Sequence, residues 1–303
     1  MSENQQLMKF SRSDSDFMSG GLKCAGWLYR PDGAENPPVL IMAHGFAAER
    51  TFRLPLFAER FAAKGIAVLL FDYRNFGDSE GTPRNLVNPY SHIRDWEAAI
   101  AHVKALPHVN TDKIALWGSS FGGGHVICVA ARHPEIAAVI SQVPFVDGIA
   151  STVIRKPKDI VTAVIAGWRD LGRKLTFRSP YTVPAIGTPD EFAVMNTEEC
   201  MLGYSALIPE DLSWENKVPA RVLLLVPLYS PMRQAGRVES PVLIMAAEKD
   251  SLIPIKAVEK TAARIKNVTL HRLSCNHFAP YVGKFFEENV TIETEFLERH
   301  LFD

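Results

Sequence analysis

Short apolar runs that end abruptly in turn residues alternate with segments of helical periodicity through the first half of this chain, and few folds accept that rhythm. "PPVLIMAHG" (37–45) stops at His44-Gly45, "FRLPLFAERFAAKG" (52–65) sets Leu56, Phe57 and Phe61 at helical spacing before Gly65, and "IAVLLFDYR" (66–74) is again strand-like. Such runs suit strands buried on both faces of a parallel sheet, and a glycine after the last periodic residue suits a helix end. "SHIRDWEAAIAHVKAL" (91–106), "KIALWG" (113–118), "FGGGHVICVAARHP" (121–134) and "IAAVISQVP" (136–144) continue as helix, strand, helix and strand. The succession predicts an α/β fold, a mostly parallel central sheet with helices on both faces and right-handed crossovers. Before it, "LKCAGWLYRP" (22–31) reads as one strand after a polar start.

From about Phe145 to Ser240 the rhythm fails, and the segment is rich in proline and mixed helical patterns. Over 155–178, Arg155, Lys156, Lys158, Arg169, Arg173, Lys174 and Arg178 face only Asp159 and Asp170, a pattern that suits a solvated basic face. The rhythm resumes with "PVLIMAAEKD" (241–250), a helix over 255–266, "NVTLHRLS" (267–274) and a last helix near 280–301. The expected organisation is one sheet domain made of 1–144 and 241–303, interrupted by a mainly helical insertion at 145–240.

Composition excludes several classes of function. The 303 residues are 47% hydrophobic and 22% charged, which is ordinary for a globular protein and rules out disordered and fibrous chains. A formal charge of −1 supplies no global field for nucleic acid or an anionic membrane, so the expected partner is a small molecule; a homo-oligomer stays open. Cys24, Cys128, Cys200 and Cys275 are too dispersed for a disulfide scaffold and read as reduced, mostly buried thiols. The N-terminus has no apolar signal core, and the longest apolar runs, such as "RVLLLVPLYS" (221–230), fall far short of the ~20 residues that span a bilayer. A cytoplasmic protein is expected.

The stretch "GSSFG", Gly118 to Gly122, matches G-x-S-x-G between a strand and a helix. In that context the central Ser120 occupies a strained turn that presents its hydroxyl above the sheet, while Ser119 has at most a supporting hydrogen-bond role. A serine hydroxyl needs a positioned base and an orienting acid. His277, in the loop "LSCNHFAPY" after the last strand, is the candidate base; His271 lies within a strand and His300 at a helix end. Asp250, at the end of "IMAAEKD", is the candidate acid, with Glu248 and Asp147 as alternatives. Oxyanion donors would be the backbone amides of Phe121, after the nucleophile, and Phe46, in the "HGF" turn, which His44 braces. Without a Cys/His cluster at ligand spacing, no metal or cofactor is expected.

In type and order, "MAHGF" (42–46), "FDYRNFGDSEG" (71–81), "GSSFGG" (118–123), "AAEKDSLIP" (246–254) and "CNHFAPY" (275–281) resemble the α/β-hydrolase superfamily. One departure is Asn75, where many relatives carry glycine; Asp72 and Arg74 are read as braces of that turn. The resemblance implies that 145–240 is a cap over the active site. Trp168, Phe177, Tyr181, Phe192, Met195 and Trp214 are the candidates to line its pocket, although packing against the sheet is the plainer role for any one of them. It also implies a cofactor-independent serine hydrolase, with a carboxylic ester of a small to medium acyl group as the expected substrate. The same constellation serves amide and peptide hydrolases and acyltransferases, and a binding protein that has lost catalysis is the rival from another class.

Overall fold

The computed structural model describes residues 7–302. Eight strands form one sheet: β1 (Phe10–Asp14), β2 (Gly26–Pro31), β3 (Pro38–Ala43), β4 (Ala67–Phe71), β5 (Asn110–Ser119), β6 (Ala138–Gln142), β7 (Val242–Ala247) and β8 (Val268–Leu273). Their spatial order is β1-β2-β4-β3-β5-β6-β7-β8. β3 to β8 run parallel, whereas β2 is antiparallel to β4 and β1 to β2. Every residue of β3, β4, β6 and β7 is buried, as continuous apolar runs require in a sheet covered on both faces.

In chain order the helices are α1 (Leu54–Ala62), α2 (Pro89–Lys104), α3 (Phe121–Ala130), α4 (Gly148–Val153), α5 (Pro157–Leu175), α6 (Cys200–Ser205), α7 (Val222–Leu225), α8 (Ile255–Ala262) and α9 (Gly283–Leu301). On one face, Trp96 and Ile100 of α2, Val126 of α3 and Val258 of α8 pack with Val39, Ile41, Leu116 and Ile244 of the strands. On the other, Phe57 and Phe61 of α1 and Phe286 and Leu297 of α9 pack with Leu40, Met42, Trp117 and Leu243. The alternation of β-strand side chains between faces divides the core into these two layers. Helices α4 to α7 all fall between β6 and β7, where the strand rhythm lapses. No helix among the described residues is long and apolar enough to cross a membrane.

Two features depart from the pattern. The polar start contains β1, an edge strand with four of its five residues exposed, which has no apolar face to betray it. The run at 22–31 is two pieces: Leu22–Cys24 pairs with Phe17–Ser19 in a separate ribbon, and only Gly26–Pro31 joins the large sheet. After β4 the chain turns sharply, and Asp72 accepts from the Arg50 amide at 2.6 Å and from its guanidinium at 2.5 Å. Arg74 Nε donates to Asp95 at 2.7 Å. Asn75 stands here at φ 74°, a conformation asparagine tolerates better than most residues, and its side-chain amide donates to the Pro83 carbonyl.

Beneath the sheet, α9 carries a buried carboxyl, Glu293, that accepts from Trp117 Nε1 at 3.0 Å. Burial pushes its pKa up to about 8, against the downward pull of that hydrogen bond. The folded protein therefore holds this proton more tightly than the unfolded chain, with its ordinary value of 4.5. The associated stability is full below 4.5 and is lost as pH rises through about 8. Glu293→Gln keeps an acceptor for Trp117 and removes the ionisation. Its melting temperature is expected to exceed that of the wild type by about 2–4 °C or more at pH 9 and to match it closely at pH 5. An offset of equal size at both pH values would show that the carboxyl does not titrate with folding.

Candidate active site

Strand β5 ends at Ser119 and α3 begins at Phe121, so Ser120 alone makes the turn between them. It does so at φ 54° and ψ −114°, a region that L-residues avoid. The turn is tight because neighbouring backbone passes close by: a Cβ on Gly122 would lie 2.6 Å from the His44 carbonyl oxygen. The reversal separates the two serines. Ser119 Oγ is fully buried, bonded to the Tyr281 hydroxyl and accepting from Gln142 Nε2 at 3.0 Å, while Asn289 of α9 donates to Gln142. Ser120 Oγ instead meets His277, and Ser120 lines a cavity.

In the loop after β8, His277 sits with its Nε2 3.0 Å from Ser120 Oγ and its Nδ1 2.6 Å from Asp250 Oδ2. The other oxygen of Asp250 accepts from the amides of Leu252 and Ile253 at 2.8 and 2.9 Å, which fixes the carboxylate's orientation. The two alternative acids lie elsewhere. Asp147 caps the N-terminus of α4 through the amides of Ile149 and Ala150, and Glu248 is exposed. Burial pulls the His277 pKa down, but the Asp250 carboxylate and the charge of Glu199 together hold it above the ordinary 6.5.

The amide of Phe121 is the first of α3 and so has no acceptor within the helix. Phe46 stands across from it, the two rings 5.7 Å apart and edge to face, and both residues line the cavity with Ser120. His44 braces this turn: its Nδ1 lies 3.0 Å from the Gly45 carbonyl, its ring packs against Tyr73, and burial pushes its pKa down. The insertion also holds the turn, since Tyr204 Oη donates to the Phe46 carbonyl at 2.9 Å and Trp214 Nε1 to the Ala47 carbonyl at 3.0 Å.

The cavity encloses about 560 Å³. Its walls are mainly apolar and come from both parts of the chain: Phe121, Leu252 and Ile253 from the sheet side, Phe145, Ile160, Ala163, Val164, Met195 and Leu223 from residues 145–240. Of the six candidate pocket residues only Met195 lines it. Trp168 is 62% exposed and Phe177 99%, so both point to solvent. Tyr181, Phe192 and Trp214 pack against the core, half-buried. Arg155 is likewise no part of a solvated face: it donates to the carbonyls of Ala193 and Val194 and to Asn196 Oδ1, clasping the insertion to itself. All four cysteines are buried and unpaired. Among the described residues no cluster of His, Cys, Asp or Glu could hold a metal ion.

Residues 21–183 match the family model of the X-Pro dipeptidyl-peptidases, S15. The chain belongs to this family of α/β-hydrolases. The hydrolase is 39% identical over 286 residues to the quorum-quenching protein AidA of Acinetobacter baumannii, covering 94% of each chain. It is 36% identical over 165 residues, about half of each chain, to the thiohydrolase aneE of Aspergillus aculeatus. Its fold matches the crystal structure of the α/β-hydrolase GrgF from Penicillium sp. with a TM-score of 0.82 at 24% identity, covering 97% of this chain and all of that one.

Tyr204, Trp214 and Glu199 carry no local motif, and only the folded hydrolase brings them to the site. Glu199 reaches the acid loop, accepting from the Ser251 amide at 3.1 Å, next in sequence to Asp250. Because its charge helps to raise the His277 pKa, it has a measurable consequence. For His277 as the proposed base, which must be neutral to accept a proton, activity is expected to rise with pH along a limb above 6.5. In Glu199→Gln that limb should move to lower pH. A profile of kcat/KM against pH that is unchanged in the variant would remove Glu199 from the electrostatics of the site.

Proposed function

We propose that this α/β-hydrolase is a serine hydrolase that cleaves carboxylic esters of small to medium acyl groups through an acyl-enzyme, and that it works in the cytoplasm. The observation that carries the reading is the placement of His277, 3.0 Å from Ser120 Oγ and 2.6 Å from Asp250, in the wall of a mainly apolar cavity. Ser120 Oγ attacks the ester carbonyl while His277 Nε2 takes its proton. Asp250 holds the Nδ1–H tautomer and stabilises the imidazolium. The amides of Phe46 and Phe121 donate to the oxyanion as it forms. Collapse expels the alcohol, which takes the proton from His277. Water then repeats the sequence against the acyl-enzyme and frees the acid. Residues 145–240 serve as the cap, shielding the acyl-enzyme and shaping the acyl pocket.

Several details support this reading. The cavity's walls suit a hydrocarbon chain, and relatives bear the names thiohydrolase and acyltransferase, both acyl-group chemistries. The family model is described by a peptidase, which favours amide hydrolysis as the second reading. A series of nitrophenyl esters beside aminoacyl nitroanilides separates the two. Ester turnover that varies with chain length and exceeds anilide turnover is the expected result; efficient anilide cleavage with feeble ester turnover would reverse the order. A fluorophosphonate probe should label Ser120, and absence of labelling would leave a binding protein instead.

A further inference from the structure

Helix α5 leaves one face unpartnered. Ala166, Gly167 and Asp170 are buried against the rest of the insertion, and Asp170 is taken by Arg221 at 2.6 Å. On the outer side Val161, Ile165, Trp168 and Leu175 recur at spacings of four, three and seven residues, which align them as one stripe, and each is more than half exposed. Phe177 extends the stripe past the helix end at φ 54°, its ring wholly in solvent. A contiguous apolar stripe exposed and rimmed by polar residues marks an interaction surface.

The charges beside it select the partner. Lys158 and Arg169 fall along the edge of the stripe at helical spacing, and Lys174 and Arg178 follow near its C-terminal end; all four are exposed. The only acids over 157–178, Asp159 and Asp170, are buried. Pairing with a second copy would set cation against cation. An anionic lipid surface instead accepts the cations at its headgroups and the Trp, Leu and Phe side chains at the acyl boundary, to a depth of about 5–10 Å. The net charge of −1 conceals this arrangement because the acidic residues lie elsewhere.

We propose that the exposed face of α5, with Phe177, is a docking surface for an anionic phospholipid membrane. The helix turns Ile160, Ala163 and Val164 into the wall of the active-site cavity, so docking would place one flank of the pocket beside the acyl region of the bilayer. An apolar substrate could then enter from the lipid without crossing water. The cytoplasmic leaflet carries anionic lipids of this kind.

The test uses the full chain with vesicles of phosphatidylglycerol and phosphatidylcholine, one to three, and with phosphatidylcholine alone. Flotation at low salt should carry the protein with the anionic vesicles only, and raising the salt should release it, as screening of surface charge requires. Trp168→Asp should abolish flotation. Lys158→Gln and Lys174→Gln should each weaken it about fivefold, the equivalent of about 1 kcal/mol per basic residue at such a surface. All three should turn over a water-soluble ester like the wild type. If Trp168→Asp folds poorly by its melting temperature, Ile165→Asp replaces it. Two results would overturn the proposal: no flotation of the wild type at low salt, or a dimer by light scattering that Trp168→Asp dissociates and that does not bind vesicles. Vesicle binding reads the surface alone, whatever bond the pocket cleaves.

Discussion

Ser120→Ala is expected to lower turnover of an activated ester by about 10⁴-fold or more, with the melting temperature nearly unchanged, because it removes only the oxygen proposed to attack. Ser119→Ala, one residue away, should have the reverse profile. It removes one buried hydrogen-bond partner from both the Tyr281 hydroxyl and the Gln142 amide, at a cost of about 1–3 kcal/mol in stability, while turnover stays within about tenfold. Turnover and thermal melts on the pair read both quantities. A dead Ser119→Ala with an active Ser120→Ala would move the nucleophile to the other serine.

The second large effect is expected at the acid. Asp250→Asn retains an oxygen to accept from Leu252 and Ile253, so the loop should hold its shape. Its amide nitrogen, however, presents a donor to His277 Nδ1, and the imidazole takes the tautomer that cannot accept the serine proton. Turnover should fall by about 10⁴-fold with little change in ester KM. Asp147→Asn and Glu248→Gln should stay within a few-fold of wild type, since the first side chain caps α4 and the second is exposed. If either of these variants lost activity while Asp250→Asn kept it, the role would pass to that residue.

What was legible in the sequence was whatever leaves a local signature. Burial on both faces forces continuous apolar runs, so strands such as β3, β4 and β7 could be read directly. The elbow was legible because glycine is demanded where backbones pass too close for a Cβ, and a serine between two such glycines stands out. His277 and Asp250 became candidates by a similar logic, each in a loop that leaves the carboxyl end of a parallel strand. The edge strand β1 escaped because its residues, four of them exposed, satisfy no apolar pattern.

The insertion was the least legible part, for a physical reason. An aromatic on an amphipathic helix looks the same in sequence whether its face meets the sheet, a pocket or water. Six residues were equal candidates for the pocket, and only packing separated Met195, on the cavity wall, from Trp214, bonded to the Ala47 carbonyl, and from Trp168, turned outward. The basic run divided likewise, Arg155 turning inward to carbonyls and Lys158 outward beside an apolar stripe.

The amino-acid sequence by itself determined the α/β fold, the strained serine turn and the order of Ser120, Asp250 and His277, because each is imposed by local sterics and by burial along the chain. Only the tertiary structure decided which acid meets the histidine, that Tyr204 and Trp214 hold the turn at Phe46, and which face of α5 is left to solvent. Those are contacts between segments far apart in sequence, set by the packing of the insertion on the sheet, and no local pattern of residues encodes them.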